Sequence, residues 1–567
     1  MTSLGSLDAA REVVSGLLVG GVRRVVVCPG SRSAPLAYAL AEAEGRGLLE
    51  LVVRIDERVG GFTALGAALS SGRPTAVLTT SGTAVGNLLP AVMEANHAEV
   101  PLIVLSADRP EELHGTGANQ TTEQLDLFGE HVRFATSVAA GESPSSAVRT
   151  ALSAASGLLP GVPSGPAQLN VCFREPLVPA DGWAPPAGAW EQPPSEGFAY
   201  RRPAVAALGG LPPRRTVVMA GHGAGPLAEA FAAAHGLPLL AEPSSNARFG
   251  SHAVGPYRVL LDAHPGEGIE RVVLFGRPTL SRPVTALLAR ADVETALFHP
   301  RPVAWFEEGR RREQLIADLD ELSEFAGRGA EGWLDTWLLA GAAAQEAMDR
   351  VLAAAPLSGP RLAQLVWQNA HGQLVLGSSN GIRDVDLAAS PATEPGSRVF
   401  ANRGLAGIDG TVSTATGLWL GNRVDTTLFL GDLTFLHDAG GLLLGTGEAE
   451  PSLRIVVLND AGGAIFGLLE HGRVGGDGAS AGAAAAVERL FGTPHKADLR
   501  ALAAAYGVRH TVVRTTAEAA AALAAPRTGG REIIEARVDR AGLRGLHARV
   551  RAAVAESVAP QHRFGYR

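Results

Sequence analysis

The sequence predicts an α/β protein built from three consecutive domains, each with a mostly parallel sheet. With 567 residues, the chain is too long for a single hydrophobic core. Strand-like apolar runs alternate with alanine-rich helical segments, which is the order expected of parallel α/β units. Glycine-containing turns follow many of these runs, and 69 glycines are available for them.

The composition excludes several classes of protein. A hydrophobic fraction of 46% and a charged fraction of 19% are typical of a well-packed globular protein, not of a disordered or fibrous chain. The net charge of -8 argues against a broad nucleic-acid-binding face. We find no basic leader before an apolar stretch and no window long enough to span a membrane. With only two cysteines, Cys28 and Cys172, we expect a cytoplasmic protein without a disulfide framework.

The first domain is predicted at residues 1–180. Strand-like runs occupy 24–27, 75–78 and 102–105, and helical segments separate them. The stretch from 179 to 198 is rich in proline, glycine, alanine and tryptophan and has no periodicity. This stretch is therefore predicted to be a linker between domains.

The second domain is predicted at residues 199–350. Strand-like runs at 215–220 and 271–275 each end in a glycine turn. The turn after Ala220 lacks the full spacing of a dinucleotide-binding loop, so nucleotide binding there is not favoured. A charged segment at about 307–355 is predicted to be helical and to end near Pro356 and Pro360.

The third domain, predicted at residues 356–567, has the strongest chemical signal. One strand-like run ends in Gly431-Asp432 and another ends in Asn459-Asp460. Open α/β sheets bind ligands outside the carboxyl ends of their strands, and Mg²⁺ prefers oxygen ligands there. The two carboxylates therefore predict a site for a metal-bound diphosphate, with a backbone carbonyl from the glycine turn as a further ligand. Either dipeptide by itself is also a common turn after a strand.

This pair of motifs resembles the signature of thiamine-diphosphate enzymes, and Glu57 fits the remote glutamate of that family. Glu57 follows a strand-like run at 51–53 and precedes a helix of small residues. The resemblance implies that its carboxyl group hydrogen-bonds the pyrimidine ring of the cofactor and promotes the cofactor's activation. Without the metal motifs, Glu57 would be interpreted as a surface carboxylate paired with Arg54 or Arg58.

Motifs along the whole chain resemble the family of 2-succinyl-5-enolpyruvyl-6-hydroxy-3-cyclohexene-1-carboxylate synthases of menaquinone biosynthesis. The resemblance is dense in the first and third predicted domains and thin in the middle one. The blocks that carry it are Cys28 to Leu36, Ser81 to Ala84, Ala107 to Pro110, Gly117 to Gln120, Ser378 to Arg383, Asn402 to Gly410 and Gly462 to Phe466. It implies the thiamine-diphosphate-binding fold, in which pyrimidine-binding, central Rossmann-like and diphosphate-binding domains follow one another.

The resemblance also implies which residues form the site. The catalytic positions are Glu57, Arg32 and Gln120. The cofactor-binding positions, for thiamine diphosphate with Mg²⁺ or Mn²⁺, are Glu57, Thr83, Ser379, Ile408, Gly431, Asp432, Asp460, Ile465 and Phe466. The metal ligands are Asp432, Asp460 and Gly462, and Asp460 stands where the wider family usually has asparagine. The substrate-binding positions are Ser31, Arg32, Arg109, Asn119, Gln120, Arg282, Ser379, Arg383, Arg403, Ile465, Phe466 and Leu469.

The reaction implied by the family is the decarboxylation of 2-oxoglutarate and the conjugate addition of the succinyl carbanion to isochorismate. Both substrates carry two carboxylates, and arginine forks bind carboxylates well, so the implied arginines suit this pair of small molecules. The family further implies self-association as a homodimer or homotetramer, with active sites at the dimer interface.

Two alternatives remain open on the sequence alone. The chain could be another thiamine enzyme, such as a 2-oxoacid decarboxylase or an acetolactate-type synthase, although their smaller substrates need fewer arginines. It could also be a non-catalytic, cofactor-binding relative. The presence of Glu57, Asp432 and Asp460 argues against that second alternative, because a degenerate site need not keep them.

Overall fold

Parallel sheets recur along the chain, as the alternation of strand-like and helical segments predicts. The computed structural model describes residues 4–180, 183–184, 200–206, 208–263, 268–307, 309–475 and 479–559. Most of the predicted linker at 179–198 lies outside these described residues. Neighbouring strands are parallel in each of the sheets, with helices between them, so the predicted α/β class is confirmed.

The first sheet is formed by six strands, four of which are buried along their whole length. Its strands are β1 (Arg24–Val27), β2 (Glu50–Val53), β3 (Thr75–Thr79), β4 (Leu102–Asp108), β5 (Ala135–Val138) and β6 (Ala167–Cys172). The helices are α1 (Ser6–Val19), α2 (Ala34–Glu44), α3 (Glu57–Ser71), α4 (Thr83–Gly86), α5 (Leu89–His97) and α6 (Ser145–Ala155). All residues of β1, β3, β4 and β6 are buried, as expected when helices cover both faces of a parallel sheet.

The middle part of the chain forms a five-stranded sheet and a short two-stranded one. The strands are β7 (Pro213–Arg214), β8 (Thr216–Ala220), β9 (Leu239–Ala241), β10 (Arg271–Phe275), β11 (Glu294–Phe298), β12 (Gln314–Ile316) and β13 (Arg328–Gly329). The helices are α7 (Leu227–His235), α8 (Tyr257–Ala263), α9 (Arg282–Leu288), α10 (Leu319–Ala326) and α11 (Trp333–Ala353). The strand order is β12-β11-β10-β8-β9, and β13 pairs with β7.

The charged segment at 307–355 contains two helices, α10 and α11, but also two short strands, so the prediction of a single helical segment was wrong. The strand β12 pairs with β11, and β13 pairs with β7, so two short strands interrupt the segment. Gly327, with a left-handed φ of 68°, ends α10 and allows the chain to turn into β13. Long-range strand pairing therefore overrides the local helical pattern here.

The last part of the chain forms a second six-stranded sheet. Its strands are β14 (Gly372–Leu376), β15 (Ser397–Phe400), β16 (Thr426–Gly431), β17 (Leu453–Asn459), β18 (Arg509–Val513) and β19 (Arg531–Arg537). The longer helices are α12 (Gly359–Asn369), α13 (Asn380–Ala388), α14 (Thr411–Asn422), α20 (Thr516–Ala524) and α21 (Leu543–Ser557). The shorter ones are α15 (Asp432–His437), α16 (Ala464–Leu468), α17 (His471–Val474), α18 (Ala481–Val487) and α19 (Leu499–Ala505).

The two six-stranded sheets share one strand order. It is β2-β1-β3-β4-β6-β5 in the first and β15-β14-β16-β17-β19-β18 in the second, so both follow the same pattern along the chain. In the first sheet the chain connects β1 to β2 on one side and β3 to β4 on the other, so the direction of the connections reverses between β1 and β3. The same reversal lies between β14 and β16 in the second sheet. Such a switch point opens a crevice at the carboxyl ends of the strands, which is where α/β folds bind ligands.

Helices α3 and α14 bring the two six-stranded sheets together through close backbone contact. A Cβ atom on Gly66 would lie 2.1 Å from the carbonyl oxygen of Thr414, and one on Gly417 would lie 2.1 Å from that of Thr63. Any larger residue at either position would force the helices apart. The small-residue helix that follows Glu57 in the sequence is therefore a packing surface.

Two further observations bear on the sequence-based expectations. Cys28 and Cys172 are free thiols and form no disulfide, and both are buried, as expected for cysteines that pack like small apolar residues. In the described ranges, no helix combines the length and the apolar character needed to cross a membrane.

Candidate active site

The residues predicted to form the site follow the carboxyl ends of parallel strands. In the first sheet, Ser31 and Arg32 follow β1, Glu57 follows β2, Thr83 follows β3 and Arg109 follows β4. In the last sheet, Ser379 and Arg383 follow β14, Arg403 follows β15, Asp432 follows β16 and Asp460 follows β17. Because carboxyl ends of parallel strands share one edge, each sheet gathers its own set of polar groups there.

Asp432 follows Gly431, the last residue of β16, and its carboxylate is buried. Its Oδ2 atom accepts the Gly462 amide at 2.9 Å and lies 3.1 Å from Nε2 of His495, while Oδ1 accepts the Leu433 amide at 2.6 Å. Burial raises the pKa of Asp432, and the hydrogen bond with His495 opposes that rise. The structure thus places Asp432 directly against the loop that follows β17.

Asp460 supplies a second carboxylate beside the first. Its Oδ1 atom is buried and has no hydrogen-bond partner among the described residues. Burial, and then the charge of Asp432, raises the pKa of Asp460 to about 7. A divalent cation would relieve the repulsion between these carboxylates and would occupy the unpartnered oxygen. The residues present therefore fit a metal ion of the Mg²⁺ type.

The loop after Asp460 is fixed by close backbone contacts. A Cβ atom on Gly462 would lie 2.3 Å from the carbonyl oxygen of Gly492, and the Gly463 amide donates to that same oxygen at 2.7 Å. Glycine is therefore required at 462 for the loop to approach this segment. Sequence reasoning singled out Gly462 but missed Gly492 and His495, because no short motif marks a contact between distant segments.

A cavity of about 710 Å³ opens beside the loop that follows β17. It is lined by Asn459, Asp460, Ala461, His495, Lys496, Ala497, Asp498, Arg500, Val512, Arg514, Arg537 and Val538. Arg32, Arg109, Arg383 and Arg403 are not among its lining residues. Its lining residues come from the loop after β17 and from the ends of β18 and β19, so the cavity lies on that side of the sheet.

Glu57 is the first residue of α3 and is half-buried. Its Oε2 atom accepts a hydrogen bond from Nδ2 of Asn87 at 3.2 Å. The alternative pairing with Arg54 or Arg58 is not what the structure shows: Arg54 lies 3.6 Å from Glu448, and the Arg58 guanidinium donates to a backbone carbonyl. Glu57 is thus held by a neutral donor, and Asn87 is a neighbour that sequence reasoning did not find.

Gln120 is locked to the loop that follows β3. Its Nε2 atom donates to the Ser81 carbonyl at 3.0 Å, and the Ser81 hydroxyl donates to the Gln120 carbonyl at 2.8 Å. Gln120 has a left-handed φ of 59° and an exposed side chain, so the exchange of hydrogen bonds holds an unfavourable backbone conformation in place. Asn119 and Thr83 are also exposed, and the three polar residues lie on accessible surface.

Arg32 and Arg109 form the first of two arginine pairs. Arg32 is buried and donates to the Phe173 carbonyl at 2.8 Å. Burial, and then the charge of Arg109, lowers the pKa of Arg32. The Nε atoms of both arginines are buried without a partner among the described residues. Ser31, the neighbour of Arg32 in the same loop, is exposed.

Arg383 and Arg403 form the second pair, and both are held by the middle part of the chain. Arg403 donates through Nε to the Thr279 hydroxyl at 3.1 Å and through Nη2 to the Thr279 carbonyl at 3.0 Å, while Arg383 donates to the Leu280 carbonyl. Burial lowers the pKa of both arginines, and the charge of Arg383 contributes to the shift of Arg403. Ser379 is half-buried just ahead of Arg383.

Arg282 is placed differently from the other four arginines. Its side chain is 74% exposed, and its guanidinium lies 2.8 Å from the Glu470 carboxylate. Leu469, the residue before Glu470, is half-buried. Arg282 therefore lies at the rim of the loop that follows α16 and not within either arginine pair.

The four apolar residues predicted to bind the cofactor or the substrates share one degree of burial. Ile408, Ile465, Phe466 and Leu469 are all half-buried, as expected for side chains that contact the core and also face a pocket. The Phe466 ring packs against Phe491, with ring centroids 5.5 Å apart. Phe491 and Gly492 are adjacent, so one stretch of chain contacts both the loop that follows β17 and the Phe466 ring.

Comparison with known proteins gives two further findings. Residues 8–127 match the family model described as "Thiamine pyrophosphate enzyme, N-terminal TPP binding domain". Three relatives along the full length carry the name 2-succinyl-5-enolpyruvyl-6-hydroxy-3-cyclohexene-1-carboxylate synthase. The one from Arthrobacter sp. (strain FB24) is 66% identical over 98% of this chain and 93% of its own length. The one from Paenarthrobacter aurescens (strain TC1) is 66% identical over 98% of each chain. The one from Renibacterium salmoninarum is 58% identical over 98% of this chain and 99% of its own length.

Proposed function

This chain belongs to the family of 2-succinyl-5-enolpyruvyl-6-hydroxy-3-cyclohexene-1-carboxylate synthases, and we propose that it catalyses their reaction. It is a thiamine pyrophosphate enzyme and a transferase. The reaction decarboxylates 2-oxoglutarate and adds the resulting succinyl unit to isochorismate, giving 2-succinyl-5-enolpyruvyl-6-hydroxy-3-cyclohexene-1-carboxylate and CO₂. It is a step of menaquinone biosynthesis.

The single observation that carries the substrate assignment is the presence of two arginine pairs at strand ends. Arg32, Arg109 and Arg383 each keep a buried Nε donor without a partner, and Arg403 lies beside Arg383. Buried cations with free donors are costly unless an anion joins them. Two substrates with two carboxylates each supply four anionic groups, whereas pyruvate-type substrates supply far fewer.

The cofactor, when bound, supplies a nucleophilic carbon and an acceptor for the electrons released by decarboxylation. The side chains of Asp432 and Asp460 and the carbonyl of Gly462 would hold Mg²⁺ or Mn²⁺ against its diphosphate. Glu57 would keep a proton between its carboxyl oxygen and the pyrimidine ring. Thr83, Ser379 and Ile408 would complete the binding surface for the cofactor.

The chain's own residues then control the fate of the substrates. The arginine pairs orient both carboxylate substrates, with help from the polar groups of Ser31, Asn119 and Gln120. Ile465, Phe466 and Leu469 would exclude water from the reacting carbon, which favours addition to isochorismate over protonation. Arg282 would act from the rim of the same site.

The protein is further proposed to work as a cytoplasmic homodimer or homotetramer, with each site shared between two subunits. Val53 and Ile55, which precede Glu57, are 41% and 72% exposed although they are large and apolar. A partner subunit would cover them close to the catalytic glutamate. The domains are proposed at residues 1–180, 199–350 and 356–567.

A cofactor-dependent assay tests the function. The protein is incubated with thiamine diphosphate, Mg²⁺, 2-oxoglutarate and isochorismate, and both isochorismate absorbance and CO₂ release are followed. Consumption of isochorismate coupled to CO₂ release is expected. Glu57→Gln should abolish this coupled reaction. The matched control is Glu12→Gln, at a carboxylate that accepts hydrogen bonds from the Ser143 and Ser145 hydroxyls, and it should leave the reaction unchanged.

Two outcomes would contradict the proposal. Release of CO₂ at the same rate with and without isochorismate would identify a simple 2-oxoacid decarboxylase. The absence of any cofactor-dependent reaction with 2-oxoacids would identify a cofactor-binding protein without this activity.

A further inference from the structure

Glu242 is a fully buried carboxylate in the middle part of the chain. It directly follows β9, at the carboxyl end of the five-stranded sheet, and its exposure is 0%. Its Oε1 atom accepts two backbone amides, from Thr279 at 2.8 Å and from Leu280 at 2.9 Å. Its Oε2 atom is buried and has no partner among the described residues.

The same two residues hold the second arginine pair. The Thr279 carbonyl and hydroxyl accept from Arg403, and the Leu280 carbonyl accepts from Arg383. Glu242 therefore binds the amide side of a short segment whose carbonyl side holds both arginines. Thr279 alone connects the Glu242 carboxylate to the Arg403 guanidinium, and Leu280 alone connects it to the Arg383 guanidinium.

The local electrostatics agree with a link between Glu242 and the arginines. Burial, and then the charge of Asp386, raises the pKa of Glu242 to about 7, while the Arg403 cation lowers it. A buried carboxyl group that accepts two neutral amides is a poor source of stability, because its desolvation offsets most of the gain from hydrogen bonding. Its clear consequence is geometric. The Leu280 amide and the Thr279 carbonyl belong to one planar peptide group, so the hydrogen bond to Glu242 fixes the direction of the carbonyl that accepts from Arg403. The Leu280 carbonyl, which accepts from Arg383, lies in the next peptide group of the same segment.

We propose that Glu242 is a positioning residue that sets Arg383 and Arg403 for a carboxylate substrate, acting through the Thr279–Leu280 backbone. The inference rests on the proposed function in one respect, namely that these two arginines bind a substrate carboxylate. It identifies a role for the middle part of the chain in the selection of a dicarboxylate 2-oxoacid. Glu242 itself touches neither substrate nor cofactor in this role.

Two substitutions at position 242 separate geometry from charge. Glu242→Gln keeps one carbonyl oxygen that can accept both amides, as Oε1 does, and places its amide group where Oε2 has no partner. Glu242→Ala removes the acceptor altogether. Ser281→Ala is the matched control, because Ser281 lies in the same loop but its side chain contacts the start of α9 and not the arginines.

The kinetic measurement compares 2-oxoglutarate with pyruvate, which lacks the second carboxylate. Glu242→Ala should lower kcat/KM for 2-oxoglutarate by roughly ten- to a hundredfold, mainly through KM, because misplaced binding groups are costly. It should change CO₂ release from pyruvate much less. Glu242→Gln and Ser281→Ala should keep the wild-type preference for 2-oxoglutarate over pyruvate.

A double-mutant cycle tests the link to Arg403. The losses in kcat/KM caused by Glu242→Ala and Arg403→Ala should be strongly non-additive, since both remove the same interaction.

A crystal structure of each variant keeps the test independent of the reaction. The Arg383 and Arg403 guanidinium groups should be displaced in Glu242→Ala and retained in Glu242→Gln. Unmoved arginines in a folded Glu242→Ala protein, or equal losses for 2-oxoglutarate and pyruvate, would overturn the positioning role. If the wild type does not use 2-oxoglutarate, the proposed function fails, and the position of the arginines in the variants still decides the role of Glu242.

Discussion

His495 Nε2 lies 3.1 Å from Asp432 Oδ2, the same oxygen that accepts the Gly462 amide. The two residues are 63 positions apart, so the contact is made by the fold and not by a local motif. If Asp432 binds a metal ion, His495 would contact the metal ligand Asp432 and would not bind the metal itself. Such neighbours orient the ligating oxygen and tune its affinity.

The first prediction concerns His495. His495→Ala should weaken Mg²⁺ binding by roughly tenfold or more, because Asp432 loses one of the three partners that orient its carboxylate, and the only one that is a side chain. His495→Gln should keep part of the affinity, since its amide can still donate to Oδ2. Titration of the apo-protein with Mg²⁺ in the presence of thiamine diphosphate, followed by calorimetry, measures this difference. Equal affinities for the wild type and His495→Ala would contradict it.

The second prediction concerns the acid at position 460. Asp460→Asn keeps an oxygen ligand and removes one of two adjacent carboxylates, so it should retain activity at saturating Mg²⁺ while lowering metal affinity by roughly tenfold. Asp460→Ala removes the ligand and should abolish activity at any practical Mg²⁺ concentration. The activity of both variants is measured as a function of Mg²⁺ concentration. Full activity in Asp460→Ala would exclude Asp460 as a ligand.

The third prediction concerns the contact between α3 and α14. Gly66→Ala places a Cβ atom where the Thr414 carbonyl lies 2.1 Å away, so the helices must separate. The free energy of unfolding should fall by about 1–3 kcal/mol, as for other overpacked sites. Chemical denaturation followed by circular dichroism measures it.

Gly482 offers the control for that experiment. It lies in α18, and a Cβ atom there would meet nothing within 4 Å. Gly482→Ala should therefore leave stability unchanged or raise it by up to about 1 kcal/mol through helix propensity. A similar loss in both variants would show that the tight contact at Gly66 is not the cause.

The fourth prediction concerns acid stability. Burial, and then the charges of Arg258 and Arg551, lowers the pKa of His547 from 6.5 to about 3 in the folded protein. The unfolded chain therefore takes up a proton at a higher pH than the folded chain. The contribution of neutral His547 to the free energy of unfolding is therefore fully present above about pH 6.5, and it is lost as the pH falls toward 3. His547 contributes a slope of about 1.4 kcal/mol per pH unit within that window.

His547→Asn should make this pH dependence shallower, whatever it does to stability at neutral pH. The free energy of unfolding is measured by denaturant titration at several pH values between about 5 and 7.5, for the wild type and the variant. Parallel curves for the two proteins would show that His547 does not titrate differently in the folded state.

Local patterns in the sequence were sufficient to predict some of the strands, among them β1, β3, β4, β8, β10, β16 and β17, and the loops that follow them. The runs before Gly431 and Asp460 form β16 and β17, because an apolar run of strand length bounded by a glycine turn has few other stable conformations in an α/β fold. The segment at 307–355 fails for the opposite reason. Its short strands are fixed by pairing with β11 and β7, and the segment itself carries little sign of them.

What the sequence by itself determined is therefore the α/β class, the family and the polar residues at the strand ends. Only the tertiary structure decided the shared strand order of the two large sheets, the pairing of Arg383 with Arg403, and the supports supplied by Glu242 and His495. The physical reason is that a strand end is specified by neighbouring residues, through side-chain periodicity and turn chemistry. A support is specified by which distant loops meet when the sheets and helices pack, and no local pattern records that meeting.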